Sequence, residues 1–187
     1  MYLRQSRLPF FSILRRGFTH TATAFIRVGE KIPNLDLLIE DSPGNKVNLC
    51  EVIGNKKALI IGVPAAFSPS CSNSHIPAYI KHPKLKNAGH VFVVSVNDPF
   101  VTKAWADQLD PTRTSSIRFL GDPTARFTEA IEMSFDGSAI FGGQRSKRYA
   151  LKIEDGKVSE VYCEPDNTGL DGMNRKSTVP KFADSSK

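Results

Sequence analysis

Two short apolar runs separated by a helix-length segment constrain this chain more than any other feature. Ala58–Val63 and residues 90–96 are rich in β-branched side chains and bounded by polar or Gly-containing stretches, so both read as buried strands. The segment between them has helical spacing from about Ser70 to Asn87, with a kink expected at Pro77, and Gly89 ends it. Strand, helix and strand in that order form a βαβ unit, which implies a parallel pair with a right-handed crossover.

The flanking segments extend the same plan. Asp98 and Pro99 suit the N-cap and first position of a helix whose Val101, Ala104, Trp105 and Leu109 share one face, with Trp105 a packing residue. Residues 117–120 read as a third strand, and Asp122-Pro123 as the start of a helix reaching about Met133. Residues 147–153 and Lys157–Cys163 flank Asp155-Gly156, a strong two-residue hairpin signal. Upstream, residues 28–33 and 35–39 read as an edge strand, Ser42-Pro43-Gly44-Asn45 as a turn, and residues 47–52 as a short helix carrying Cys50. Residues 137–144 form a loop without the Gly-x-Gly-x-x-Gly spacing of a phosphate-binding turn. From Glu164 onward the chain reads as loop, ending in a short helix at most. The expected fold class is α/β, a mixed sheet flanked by helices.

Composition narrows the function. The 187 residues, 24% charged and 40% hydrophobic, suit one soluble domain with tails. Cysteines at 50, 71 and 163 are odd in number and lack paired zinc-ligand spacing, which argues against a disulfide framework or a metal site and for a working thiol in a reducing compartment. Residues 1–25 hold Arg4, Arg7, Arg15 and Arg16 and no acid, so the rest of the chain carries only +2 of the net +6. Without an aromatic-interleaved basic patch, nucleic acid is not an expected partner. Residues 1–25 instead have the Arg, Ser and Thr content and scattered apolar residues of a mitochondrial transit peptide. A secretory signal fits less well, because the apolar run 8–14 is broken by Pro9 and followed by Arg15-Arg16. The expected organisation is a transit peptide over 1–25, with processing between Thr19 and Arg27, and one domain over 26–187. No run approaches the ~20 apolar residues of a membrane helix.

The chemistry concentrates at Cys71. It falls where the first strand hands over to a helix N-terminus, and such an end favours the thiolate over the thiol. Only the thiolate is a good nucleophile. Pro64 and Pro69 stiffen the approach, and Ser68, Ser70, Ser72 and Ser74 offer hydroxyls for the sulfur or for helix capping. His75, four residues on, faces the same side of a helix, either tuning the thiol or ordering the pocket as a partly buried histidine.

These residues also carry a family resemblance. Pro64-Ala65-Ala66-Phe67-Ser68-Pro69-Ser70-Cys71 fits the pattern Pro-x-x-x-Thr/Ser-x-x-Cys of the peroxiredoxins, and the sequence resembles their type-five, or type-II, branch. Further matches are Ser74-His75-Ile76-Pro77, Ser95-Val96-Asn97-Asp98-Pro99-Phe100, Ala104-Trp105, Asp122-Pro123 and Lys147-Arg148-Tyr149-Ala150. The resemblance implies a thioredoxin-like fold and reduction of hydrogen peroxide and organic hydroperoxides without a bound cofactor. It implies that Cys71 is the peroxidatic nucleophile, that Ser68 hydrogen-bonds sulfur and peroxide, that Pro64 shields the thiolate, and that Arg148 supplies a fixed positive charge. It also favours a homodimer.

The chain departs from the branch in one respect. Gly172 stands where relatives with an internal disulfide carry a resolving cysteine. Cys50 or Cys163 could resolve instead, or both could be inert. The first expectation is a one-cysteine cycle, reduced externally by glutathione with glutaredoxin or by thioredoxin. A Cys71–Cys50 disulfide comes next. The enzymatic rival is a monothiol glutaredoxin-like transferase, suggested by Cys71-Ser72-Asn73-Ser74 and Thr178-Val179-Pro180, although only seven residues follow Pro180. A redox sensor using the same sulfur is the non-enzymatic rival.

Overall fold

The computed structural model describes residues 25–169. Its centre is a seven-stranded mixed sheet in the order β2-β1-β5-β4-β3-β8-β9. The strands are β1 (Leu38–Glu40), β2 (Lys46–Val47), β3 (Ala58–Val63), β4 (His90–Ser95), β5 (Ile117–Gly121), β8 (Tyr149–Glu154) and β9 (Lys157–Cys163). β3, β4 and β5 are parallel neighbours, as the βαβ reading requires, while β1 and β8 flank them antiparallel.

The two-residue period of the strands divides the core. Ala58, Ile60, Phe92, Val94, Leu120, Tyr149, Leu151 and Ile153 point to one face; Leu59, Ile61, Val63, Val91, Val93, Ile117, Phe119 and Ala150 point to the other. The first face is covered by α1 (Leu49–Ile53) and α4 (Arg126–Ala130), and the second by the Cys71 segment, α2 (Ile76–Ile80) and α3 (Pro99–Leu109). Ile26 is buried in the first core, its N–H bonded to the carbonyl of Ile131. Among the described residues no helix is long and apolar enough to cross a membrane.

Several elements are shorter than the sequence suggested. The expected kinked helix over 70–87 is three pieces: a π-helical turn at Cys71–His75, then α2, then a 3-10 turn at Leu85–Ala88. Pro77 has no N–H and would clash with the carbonyl of residue 73 in a continuous α-helix. A wider turn, with Ile76 N–H bonded to Cys71 O, moves Pro77 into the first turn of α2, where the missing donor costs nothing. Nor does Asp122-Pro123 begin a helix. Asp122 is buried, and its carboxylate accepts from the N–H and hydroxyl of Thr128 at 2.8 Å each, so a turn through Ala125 (φ 58°) precedes the short α4.

Elsewhere the differences are of placement. β1 is paired on both sides, and the two-residue β2 forms the sheet edge instead. Asn48 caps α1 by accepting from Cys50 N and Glu51 N, which moves the helix start to Leu49. The expected loop 137–144 holds α5 (Ser138–Phe141), enclosed by a small hairpin of β6 (Ser134–Asp136) and β7 (Gln144–Ser146). Asp155 and Gly156 both have positive φ, 52° and 70°, as a type I′ hairpin turn demands.

Gly62, the penultimate residue of β3, shows how tightly this centre is packed. A Cβ there would lie 2.0 Å from the Tyr149 ring, which fills the space beside it. Gly62→Ala is therefore expected to cost about 1–3 kcal/mol of stability, the usual penalty for overpacking, read as a lower midpoint in denaturant unfolding.

Candidate active site

The loop after β3 is built to present one sulfur. Pro64, Ala65 and Ala66 continue the buried path of the strand, and Phe67 then adopts a left-handed conformation (φ 60°) that reverses the chain. The loop is moored from β4: Asn97 Oδ1 accepts from Ala66 N at 3.0 Å and from the Ser95 hydroxyl at 2.6 Å. On the other side, Trp105 of α3 donates its indole N–H to Ser72 Oγ at 3.0 Å. Between these anchors Cys71 opens the π-helical turn with 0% exposure.

Arg148 meets it there. It immediately precedes β8 rather than lying on it, and its backbone bonds to the returning tail: its N–H donates to Asn167 O at 2.7 Å and its carbonyl accepts from Glu164 N at 2.9 Å. β8 adjoins β3, so the start of one strand lies beside the end of the other and the Arg148 side chain reaches Cys71. That side chain is 1% exposed, and burying a guanidinium demands partners for its N–H groups. Nη1 donates to Cys71 Sγ at 3.4 Å and contacts His75 Nδ1 at 2.9 Å; Nε donates to Gly169 O at 2.8 Å and Nη2 to Thr168 O at 3.0 Å.

This geometry fixes the state of His75. A guanidinium can only donate, so Nδ1 accepts and the imidazole is neutral with its proton on Nε2. Burial, and then the Arg148 charge, hold the pKa down at about 3. The Tyr79 ring meets His75 edge-on, with centroids 5.4 Å apart.

The structure thus brings Cys71, Arg148 and His75 together, with Pro64 buried in the same loop. Ser68 differs from expectation. Its hydroxyl donates to Ala65 O at 3.0 Å, and the hydrogen bond to the sulfur comes from Arg148. The serines do not cap the helix as expected either, since Ser70 makes no side-chain cap bond and Ser72 is engaged by Trp105.

Cys50 and Cys163 stand apart. Cys50 lies on α1, which packs through Leu49 and Ile53 into the core of the first face, and Cys163 packs partly buried against that same core. Burial pushes the Cys163 thiol pKa up, away from thiolate chemistry. Cys71 belongs to the opposite face, so the sheet separates it from both, whereas a disulfide needs Cα atoms within about 7 Å. Gly172 and Thr178-Val179-Pro180 lie outside the described residues, as does the transit-peptide reading through residue 24. The carbonyls of Thr168 and Gly169 and the amide of Asn97 were not expected as site elements. Their sequence signals are faint: a turn-prone Pro165-Asp166 before Gly169, and an Asn two residues past the end of a strand. Among the described residues no group of three or more His, Cys, Asp or Glu could hold a metal ion.

The redoxin family model matches residues 27–178. "Peroxisomal membrane associated protein 20" of Schizosaccharomyces pombe is 40% identical over 149 residues, covering 78% of this chain and 92% of that protein. "Peroxiredoxin-2F, mitochondrial" of Arabidopsis thaliana is 38% identical over 119 residues, 62% of this chain and 58% of that one. Among solved structures, peroxiredoxin 5 from Alvinella pompejana superposes with a TM-score of 0.65 at 36% identity, over 78% of this chain and 94% of that chain. The chain belongs to the redoxin family and, within it, to the peroxiredoxins, the thiol-dependent peroxidases of the thioredoxin superfamily.

His75 gives the fold a pH dependence with a definite sign. Its folded pKa of about 3 lies below the 6.5 of a free imidazole, so between these values the unfolded chain binds a proton that the folded chain refuses. Stability is complete above pH 6.5 and falls on acidification toward pH 3, by up to about 1.4 kcal/mol per pH unit from this group. His75→Asn, which keeps an acceptor near the Nδ1 position, is expected to flatten that part of the slope. Denaturant unfolding at pH 7.5 and pH 5 checks it; equal slopes in the two proteins would contradict the assignment.

Proposed function

We propose that Cys71 is the peroxidatic nucleophile for hydrogen peroxide and organic hydroperoxides and that it works in a one-cysteine cycle. The observation that carries the reading is the buried contact of 3.4 Å between Arg148 Nη1 and Cys71 Sγ. A guanidinium there donates to the sulfur, and its charge stabilises the oxyanion that develops as the O–O bond breaks.

In the reaction a lone pair of the thiolate attacks one peroxide oxygen and the O–O bond cleaves. The sulfur becomes a sulfenic acid, oxidised by two electrons, and the other oxygen leaves as an alkoxide or hydroxide that takes up a proton. Ser68, whose hydrogen is engaged by Ala65 O, keeps oxygen lone pairs to accept the O–H of the hydroperoxide. Pro64 offers no backbone donor and keeps water from the thiolate.

An external thiol, from glutathione with glutaredoxin or from thioredoxin, then displaces water from the sulfenic acid to form a mixed disulfide. A second thiol releases Cys71. The placement of Cys50 and Cys163 across the sheet supports external resolution over an internal disulfide. Because Cys71 is fully buried, the reductant needs the π-helical turn to open, and an element of only five residues is suited to local opening. We place the protein in the mitochondrion, on the make-up of residues 1–25 and the mitochondrial relative, and read it as a homodimer by likeness to its family.

Cys71→Ser is expected to abolish peroxide consumption, while Cys50→Ser and Cys163→Ser keep both the first oxidation and multiple turnover, assayed separately with glutathione/glutaredoxin and with thioredoxin. Turnover lost in Cys50→Ser or Cys163→Ser with the first oxidation intact would replace the one-cysteine cycle by a two-cysteine one. Activity surviving Cys71→Ser would overturn the assignment of the nucleophile.

A further inference from the structure

The guanidinium of Arg148 is oriented from the side away from the sulfur. Its Nε and Nη2 edge is taken up by the carbonyls of Gly169 and Thr168, at 2.8 and 3.0 Å, and this leaves Nη1 as the tip that faces Sγ and His75. Whatever holds those two carbonyls therefore sets where the charge sits.

β9 ends at Cys163, and the last backbone ties of the tail to Arg148 are through Glu164 N and Asn167 O, so Thr168 and Gly169 lie just past them. The chain turns through Asn167, which has φ 68° and gives its N–H to Glu164 O. The turn is then closed by a side chain: Asp166 Oδ1 accepts the Gly169 N–H at 2.7 Å. Asp166 is exposed, so it contributes little packing. Gly169 is matched to it, since a Cβ at 169 would lie 2.4 Å from the Asp166 carboxylate.

We infer that Asp166 is a positioning residue for the Cys71 chemistry, its carboxylate closing the turn whose carbonyls aim Arg148 at the sulfur. The inference rests on the reading of Cys71 and Arg148 given above and adds to it a residue that touches neither substrate nor sulfur. It acts through a hydrogen bond rather than through its charge, so an isosteric amide is predicted to replace it.

The test is the second-order rate constant for Cys71 oxidation by hydrogen peroxide, followed by the fluorescence of Trp105, the only tryptophan of the full chain. Melting temperature is measured alongside. Asp166→Ala is expected to lower the rate roughly tenfold or more, the scale of a displaced catalytic group, with a melting temperature close to that of the parent. Asp166→Asn should stay within about twofold of the parent, because an oxygen acceptor remains. Gly169→Ala, which forces the carboxylate aside, should lose rate as Asp166→Ala does, and it decides the matter if Asp166→Ala proves unstable. Parental rates in Asp166→Ala, or in a folded Gly169→Ala, would overturn the inference, as would an Asp166→Asn loss as large as that of Asp166→Ala. A peroxidase-active Cys71→Ser would instead overturn the underlying assignment, so the two failures are distinguishable.

Discussion

A buried guanidinium is the constraint on which the rest of this structure depends. Leaving Arg148 unpartnered at 1% exposure would cost several kcal/mol, and the fold supplies partners from elements far apart in sequence. The π-helical turn gives a sulfur and an imidazole, and the tail after β9 gives two carbonyls. The sheet order makes the meeting possible, because β8 lies beside β3 and its first residues adjoin the end of the strand that leads to Cys71. Packing enforces it: Tyr149, next to Arg148, is seated against Gly62, one residue from the end of β3.

The same arrangement explains why His75 is neutral. A histidine near a reactive cysteine suggests an acid or base at physiological pH, yet here burial and a facing cation push its pKa far below that range. It serves the cation as an acceptor. The Cys71 sulfur thus lies beside a permanent guanidinium charge with no imidazolium nearby.

Much of this was legible in the sequence where the physics is local. The continuous apolar runs at Ala58–Val63 and 90–96 identified the parallel centre, and Asp155-Gly156 identified the last hairpin. The site was legible at Cys71, because a cysteine after a buried strand is visible in one dimension. Arg148 was visible only through its resemblance to a known motif; alone, Lys147-Arg148 reads as a pair of solvated charges. The Ser68 hydroxyl, the Asp122 turn and the Thr168 and Gly169 carbonyls escaped for a shared reason. Each acts through a hydrogen bond whose partner is selected by three-dimensional packing, which neither composition nor periodicity encodes. The continuous helix expected over 70–87 failed because one proline imposed a wider turn before it and Pro83 follows α2.

In the proposed cycle the directed fork of Arg148, not simply a positive charge near the sulfur, activates Cys71. The most direct test is the rate constant for a single oxidation of Cys71 by hydrogen peroxide in Arg148→Lys. Lysine keeps the charge but cannot bond the sulfur, His75 and two carbonyls from one planar group. The expected result is a loss of about a hundredfold or more, the scale of removing one donor to a developing oxyanion. A rate within twofold of the parent in a folded Arg148→Lys protein would contradict it.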